Sequence, residues 1–169
     1  MSTQPLFRKV LQVGLVVRDS EATARRYWDD FGIGPWRFYT IDPSNTTGMR
    51  LRGRPVRHSF RAALATFGDL TLELIEPLDG ESVYSEHLKE HGEGLHHLAF
   101  AVDDYDSARE RLEKSGFAEV QAGRPHDVND YAYFDTVKAL GFLTELNSEE
   151  APGKPFPPPE HTVPSARGR

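Results

Sequence analysis

Four side chains of metal-ligating type stand at matching points of an internal repeat: Gln12, Glu73, His97 and Glu145. Together they offer one imidazole nitrogen and three oxygen donors. That mixture suits a divalent ion such as Zn, Ni, Co, Mn or Fe in five- or six-coordinate geometry, with positions left for water or a substrate. A structural zinc site would normally use cysteine or more histidine, and the chain has no cysteine. The set therefore predicts an open site of the catalytic kind. The alternative is that His97 only borders the core and the glutamates face solvent.

The repeat itself defines the matching points. The first copy opens with KVLQVGLVVRD (residues 9–19) and the second with GLHHLAFAVDD (residues 94–104). Aligning the final aspartates of the two segments brings Gln12 to the position of His97. Each copy also closes on a strand-like segment with one glutamate, LTLELIEP in the first copy and GFLTELNS in the second. Because a repeat reflects a duplicated structural unit, it predicts two similar modules.

Side-chain alternation then indicates how the ligands could meet. Successive residues of a strand point to opposite faces, so Gln12 and His97 can both point into a concave sheet. The neighbouring His96 would then face away from the site.

Each copy reads as one strand, one helix and about three further strands. In the first copy, residues 7–17 form the strand, and EATARRYWDDF (residues 21–31) forms the helix with Asp19 or Ser20 as its N-cap. DPSNTTG (residues 42–48) has the composition of a turn or loop.

A hairpin closes the first copy, since HSFRAALATF and LTLELIEP flank a tight turn at Gly68 and Asp69. The second copy gives a strand over residues 95–102 and a helix over 105–115, followed by strands near 117–122, 131–136 and 141–147.

The chain divides into five segments. They are a loose arm (1–6), a first module (7–77), a linker with a short helix (78–93), a second module (94–147) and a Pro-rich tail (148–169). The tail has five prolines between positions 152 and 159. Proline lacks the backbone donor that ladders and helices need, so we expect a disordered or surface-draped segment that forms neither.

Composition excludes several classes of function. A formal charge of −6 argues against a general nucleic-acid surface. The basic stretch RLRGRPVRHSFR (residues 50–61) could meet an anionic substrate group, but it reads first as a solvated loop and strand edge. No run reaches the roughly 18 apolar residues of a membrane span, and the N-terminus lacks the apolar core of a signal peptide, so a cytoplasmic location is expected.

The chain resembles the vicinal oxygen chelate superfamily, which has the glyoxalase and bleomycin-resistance fold, over about residues 8–147. The stretch LELIEPLDGES…HLKEHGEGLHHLAFAVDDYD is most similar to methylmalonyl-CoA epimerases and their relatives. The resemblance implies an α+β fold of two tandem βαβββ modules whose mixed sheet curls around a metal site. It also implies one divalent ion bound by four ligands, Gln12, Glu73, His97 and Glu145. Because dimers are frequent in this fold, it implies a homodimer as well.

Two positions depart from the epimerase pattern. The epimerases usually have histidine where this chain has Gln12, and a Gln/Glu/His/Glu set instead resembles the zinc-using glyoxalase I enzymes. No glutathione-binding pattern of arginines and lysines is evident. The epimerases also have a glutamate shortly before the hairpin, and this glutamate acts as the base that removes the α-proton. The corresponding segment here reads GRPVRHSF, in which His58 is the nearest group able to act as a base or, alternatively, a plain surface residue.

The resemblance predicts an isomerase, epimerase or lyase. An α-carbonyl acid or thioester, CoA thioesters included, would chelate the ion, and a base would remove the adjacent proton to give an enolate. Glu145 or Glu73 could be that base, and His58, Tyr131 or Tyr133 could relay the proton, although strand tyrosines more often pack a core. One alternative is an Fe(II) ring-cleaving dioxygenase, which normally uses two histidines and one carboxylate. The other is a non-catalytic binding or resistance protein.

Overall fold

The computed structural model describes residues 5–148 and 153–165, which build a mixed α+β fold. The helices are α1 (Ser20–Phe31), α2 (Val83–Glu90), α3 (Tyr105–Lys114) and α4 (Val137–Leu140). The strands are β1 (Val10–Val16), β2 (Trp36–Ile41), β3 (Thr46–Leu51), β4 (Arg54–Pro55), β5 (Ser59–Phe67), β6 (Leu70–Asp79), β7 (Gly94–Phe100), β8 (Glu119–Pro125), β9 (Tyr131–Phe134), β10 (Leu143–Asn147) and β11 (His161–Val163). Within the described residues, no helix is long and apolar enough to cross a membrane.

The predicted duplication is visible in the order of the strands. One open sheet runs β11-β2-β5-β6-β1-β7-β10-β9-β8-β3-β4. At its centre β1 pairs antiparallel with β7, while β6 runs parallel to β1 and β10 runs parallel to β7. Reading outward from the centre, β1-β6-β5-β2 therefore matches β7-β10-β9-β8. This pseudo-twofold arrangement confirms the predicted fold class, with the β3–β4 hairpin as an addition to the first module.

The helices begin where the sequence places their caps. The Asp19 carboxylate accepts a hydrogen bond of 2.9 Å from the backbone N–H of Ala22, and α1 ends at Gly32, whose φ of 67° suits glycine. Asp104, the repeat equivalent of Asp19, accepts in the same way from the Ser107 N–H at 2.8 Å. The two predicted helices after the first strand of each copy are thus confirmed.

Alternation along β6 separates the core from the open face of the sheet. Leu72 and Leu74 pack with Ala24 of α1 in one apolar cluster. Thr71 and Glu73, which point the other way, line a cavity. On the second module, α3 covers β10 in the same manner. One face of the sheet is therefore covered by helices, and the other is left to form a site.

Residues 42–48 are more ordered than a loop. The Asp42 carboxylate accepts from the Ser44 N–H at 2.7 Å, and the Asp42 N–H donates to the Asn45 side chain at 3.0 Å. This tight turn leads directly into β3, which begins at Thr46 and pairs with β8 of the second module. The loop prediction is wrong from Thr46 onward, because two β-branched threonines favour a strand once a partner edge is available.

The Pro-rich tail also forms a ladder, contrary to the prediction. Strand β11, with the proline-free sequence HTV, pairs antiparallel with β2. Val163 is buried there in the same apolar cluster as Trp36. Prolines flank this strand without entering it, so their missing donors do not interrupt the ladder. Residues 1–4 of the predicted arm, and residues 149–152 and 166–169 of the predicted tail, lie outside the described ranges.

Candidate metal centre

Gly14 separates two of the predicted ligands on one rung of the sheet. It lies on β1 and pairs with Glu73 of β6 on one side and with His97 of β7 on the other. A Cβ atom at position 14 would lie 1.9 Å from Cε1 of His97 and 2.4 Å from Nε2. Because Gly14 has no side chain, the imidazole of His97 can lie across β1, toward Glu73.

The other two predicted ligands lie two residues further along the strands, on the same face of the sheet. Gln12 of β1 pairs with Ala99 of β7, and Ala99 pairs with Glu145 of β10. Gln12 and His97, which are equivalent in the repeat, thus lie diagonally across the β1–β7 pair. Register and pseudo-twofold symmetry together bring all four positions to the centre of the open face.

Three of these residues form a compact buried group. His97 Nε2 lies 2.8 Å from Glu145 Oε2 and 3.4 Å from Glu73 Oε2. One ligand atom from each residue lies within 4.8 Å of the other two. Gln12 lines the same cavity as both glutamates. The alternative that the glutamates face solvent is wrong, since the Glu73 and Glu145 side chains are only 12% and 6% exposed.

Burial and mutual interactions shift the pKa values of this group. Burial raises the pKa of Glu73 to about 8, with further repulsion from Glu145 and a partial offset from His97. Burial alone would lower the pKa of His97, but the attraction of Glu145 and Glu73 outweighs it, and the pKa is raised. Two buried carboxylates thus converge on a single imidazole, and a cation among them would reduce their repulsion.

The donor atoms fit a divalent ion. His97 Nδ1 lies 3.0 Å from Nδ1 of His96, so one of these nitrogens donates to the other. With His97 as the donor, its Nε2 lone pair faces the carboxylates, the tautomer that a metal ligand requires. Among the described residues, His97 Nε2 and Glu145 Oε2 have no partner with hydrogen-bond geometry. These two atoms lie close together and are both of the kind that bind a metal ion.

His96 is closer to the site than strict alternation predicts. The β1–β7 ladder shifts register between Gly14, opposite His97, and Leu15, opposite Leu95. This irregularity leaves His96 without a partner on β1. His96 does not line the cavity of the two glutamates, but it contacts His97 from behind and is itself buried.

Glu73 and Glu145 line a cavity of about 370 Å³ whose wall is mixed, with several aromatic rings beside polar side chains. The Tyr84 and Tyr133 hydroxyls lie 3.0 Å apart, and burial raises the pKa of both phenols. No lysine or arginine from residues 5–148 or 153–165 lines this cavity.

Residues 50–55 of the basic stretch lie in the β3–β4 hairpin at the sheet edge, whereas residues 59–61 belong to the internal strand β5. Arg50 pairs with Glu119 at 2.6 Å, and Arg52 pairs with Glu86 at 2.7 Å. Both arginines are engaged with carboxylates away from the metal group, as expected for a solvated loop and strand edge.

His58 is buried rather than exposed on a loop. Its ring packs near Phe60 and Tyr84, with centroid distances of 6.0 Å and 6.3 Å, and neither ring nitrogen has a hydrogen-bond partner among the described residues. Burial lowers its pKa. His58 does not line the cavity of the two glutamates. Its role as a base therefore stays a prediction.

Sequence reasoning missed three residues of the site. Gly14 lies inside an apolar strand pattern, a position that signals a close approach of neighbouring groups. Tyr84 comes from the linker helix, which the repeat does not include. Phe156 comes from the Pro-rich tail, yet it lines the cavity.

Comparisons with known proteins agree with this fold. The family model of the Glyoxalase/Bleomycin resistance protein/Dioxygenase superfamily matches residues 11–134. Among solved structures, methylmalonyl-CoA epimerase from Mycobacterium tuberculosis is similar with a TM-score of 0.65 and 26% identity, covering 90% of this chain and 94% of that one. No curated protein sequence matches significantly.

Two further structures share the fold at 20% identity. A hypothetical protein from Bacillus halodurans C-125 has a TM-score of 0.60, covering 87% of this chain and 98% of its own. A Streptomyces coelicolor methylmalonyl-CoA epimerase variant in complex with 2-nitronate-propionyl-CoA has a TM-score of 0.55, covering 86% and 99%.

Proposed function

The chain belongs to the Glyoxalase/Bleomycin resistance protein/Dioxygenase superfamily, and we propose on that premise that it is a metal-dependent epimerase or isomerase. In this proposal it removes and returns the proton beside the carbonyl of an α-carbonyl acid or thioester. The observation that carries the proposal is the convergence of Glu73, His97 and Glu145 beside a cavity that both glutamates line. The similarity to the Mycobacterium tuberculosis epimerase supports a CoA thioester as the first substrate to test.

Gln12, Glu73, His97 and Glu145 would hold the ion. A bound divalent ion supplies Lewis-acid stabilisation of negative charge on a substrate oxygen. His96 fixes the ring of His97 through the Nδ1 contact, which keeps Nε2 directed at the carboxylates.

Glu73 is the proposed base. It lies 3.4 Å from His97 Nε2, whereas Glu145 lies at 2.8 Å, so the Glu73 carboxylate is the less tightly held of the two. Burial raises its pKa to about 8 in the ion-free site, which supports a carboxyl that can hold a proton near neutral pH. Once released from the ion, the Glu73 carboxylate could take up the substrate proton and return it.

The two tyrosines would act on the substrate oxygen. The Tyr84 and Tyr133 hydroxyls share one hydrogen bond, in which one of them is the donor. The hydroxyl that accepts in this bond can donate its own proton to the substrate. Since burial raises both pKa values, the phenols stay protonated and act as hydrogen-bond donors.

Hydrogen exchange with solvent tests the proposal directly. Protein loaded with Co²⁺ or Mn²⁺ is incubated with methylmalonyl-CoA in D₂O, and deuterium at the carbon beside the thioester is measured by mass spectrometry. We expect ion-dependent exchange that falls by about 10²–10⁴-fold in Glu73→Gln. Elemental analysis should show that His97→Ala loses the ion. Exposed Glu81→Gln is the matched control and should keep full activity.

Two other outcomes would contradict the proposal. Stoichiometric iron with oxygen uptake on catechols would assign a dioxygenase. Ligand binding that is unaffected by removing the ion, without exchange on any α-carbonyl acid or thioester tried, would assign a binding protein.

A further inference from the structure

The C-terminal strap, defined as residues 153–165, is firmly attached to the first module. Its strand β11 adds to the free edge of β2, and Val163 is only 2% exposed. Just before that strand, the Glu160 carboxylate accepts from the Thr40 N–H at 2.7 Å and from the Thr40 hydroxyl at 3.1 Å. The Glu160 N–H donates to the Phe38 carbonyl at 2.9 Å. These contacts fix where the preceding part of the strap lies.

That preceding part brings Phe156 against both modules. Its ring meets Tyr39 of β2 edge-on at a centroid distance of 5.3 Å, and it meets His126 in the β8–β9 connection at 5.2 Å. Strands β2 and β8 lie toward opposite ends of the sheet. Phe156 therefore spans the open face where the two modules approach each other.

Phe156 also lines the cavity that holds Glu73 and Glu145. Of the described strap residues, it alone does so. The remaining wall comes from the sheet, its connections and Tyr84 of α2, whereas the Phe156 ring is half-buried and is carried by a segment outside the repeat. This ring can change in size without altering a strand or a metal-ligating residue.

We infer that the strap is a wall of the active-site cavity and that Phe156 sets the size of the substrate group that fits beside the metal centre. The inference rests on the proposed function, because it assigns this role to the same cavity. A group attached to the chelating oxygens must share the cavity with an aromatic ring held between Tyr39 and His126. Truncating that ring makes room for a larger group, and enlarging it excludes one.

A pair of chelators of different size provides the test. Acetohydroxamate and benzohydroxamate both present two vicinal oxygens but differ in the attached group. Their dissociation constants are measured on the Co²⁺-loaded full chain by visible absorption. The informative quantity is the ratio of the benzo to the aceto constant, because effects on the ion itself cancel in it.

We expect Phe156→Ala and Phe156→Leu to shift this ratio toward the bulky chelator, on the order of tenfold for the alanine variant. Phe156→Trp should shift it the other way. Phe67→Ala, at the exposed tip of the β5–β6 hairpin, is the control with the same residue type and should leave the ratio unchanged.

Two failures can be told apart. If all variants bind cobalt and acetohydroxamate but the ratio stays constant, the strap inference is overturned while the metal centre stands. If the wild-type protein takes up no cobalt, the proposed function fails and the strap inference falls with it.

Discussion

At the scale of single residues, an imidazole and two carboxylates can meet here only because one strand position has no side chain. Gly14 lies between Glu73 and His97, and the His97 ring occupies the volume that a Cβ atom would need. The candidate metal centre thus depends on a residue that has no side chain to offer as a ligand.

Gly14→Ala is expected to destabilise the fold by about 1–3 kcal/mol, since the added methyl group collides with a buried ring. It should also lower metal affinity, because the ring must move away from the carboxylates. Urea unfolding and Co²⁺ titration measure the two effects. In a His97→Ala background the collision partner is absent, so the same substitution should cost much less. Equal costs in both backgrounds would show that the His97 contact is not the cause.

Residue types and the repeat were sufficient to predict which glutamates and which histidine come together. They were not sufficient for the rest of the cavity. Tyr84 and Phe156 lie outside the repeat, and nothing in their local sequence indicates which face they approach. The Tyr84–Tyr133 hydroxyl pair depends on tertiary packing between α2 and β9, which no periodicity encodes.

At the scale of elements, the same capping device starts the helix of each module. Asp19 and Asp104 occupy equivalent repeat positions, and each accepts a hydrogen bond from the backbone three residues later. The cap fixes where each helix leaves its first strand, and hence which residues of that strand reach the centre of the sheet.

Asp19→Ala should lower the free energy of unfolding by about 1 kcal/mol, because a backbone donor at the start of α1 loses its partner. Asp19→Asn, which keeps a capping oxygen, should recover most of that loss. Chemical denaturation measures both variants. A loss of the same size in the asparagine variant would point to charge rather than capping.

Sequence patterns predicted the helices and strands that have a clear hydrophobic periodicity. They missed the strands that form only by pairing with the edge of a strand far away in the sequence. Helices α1 and α3 and the β5–β6 hairpin lie close to their expected bounds. Strands β3 and β11 do not, since each is short and gains its order from pairing with β8 or β2. Their formation is decided by free edges created elsewhere in the chain.

At the scale of the whole molecule, the duplication places one glutamate from each module beside a single histidine. Burial of these carboxyl groups lowers the stability of the ion-free protein. The folded chain holds Glu73 with a pKa of about 8, against an ordinary value of 4.5. At a pH between these two values, Glu73 keeps its proton in the folded state and releases it in the unfolded state. Stability of the ion-free protein must then fall as pH rises through this window. His97 acts in the same direction, since its pKa is also raised.

A divalent ion should reverse this trend, because it competes with the proton for the same carboxylate. Thermal unfolding at pH 5, 6, 7 and 8 should therefore show stabilisation by Co²⁺ that grows with pH. At an ion concentration 100 times the dissociation constant, the gain is about 2.7 kcal/mol. Glu73→Gln has no carboxyl to titrate at this position, so its ion-free stability should vary less with pH. If wild type and this variant lose stability equally between pH 5 and 8, Glu73 is not the group that links protons, metal and folding.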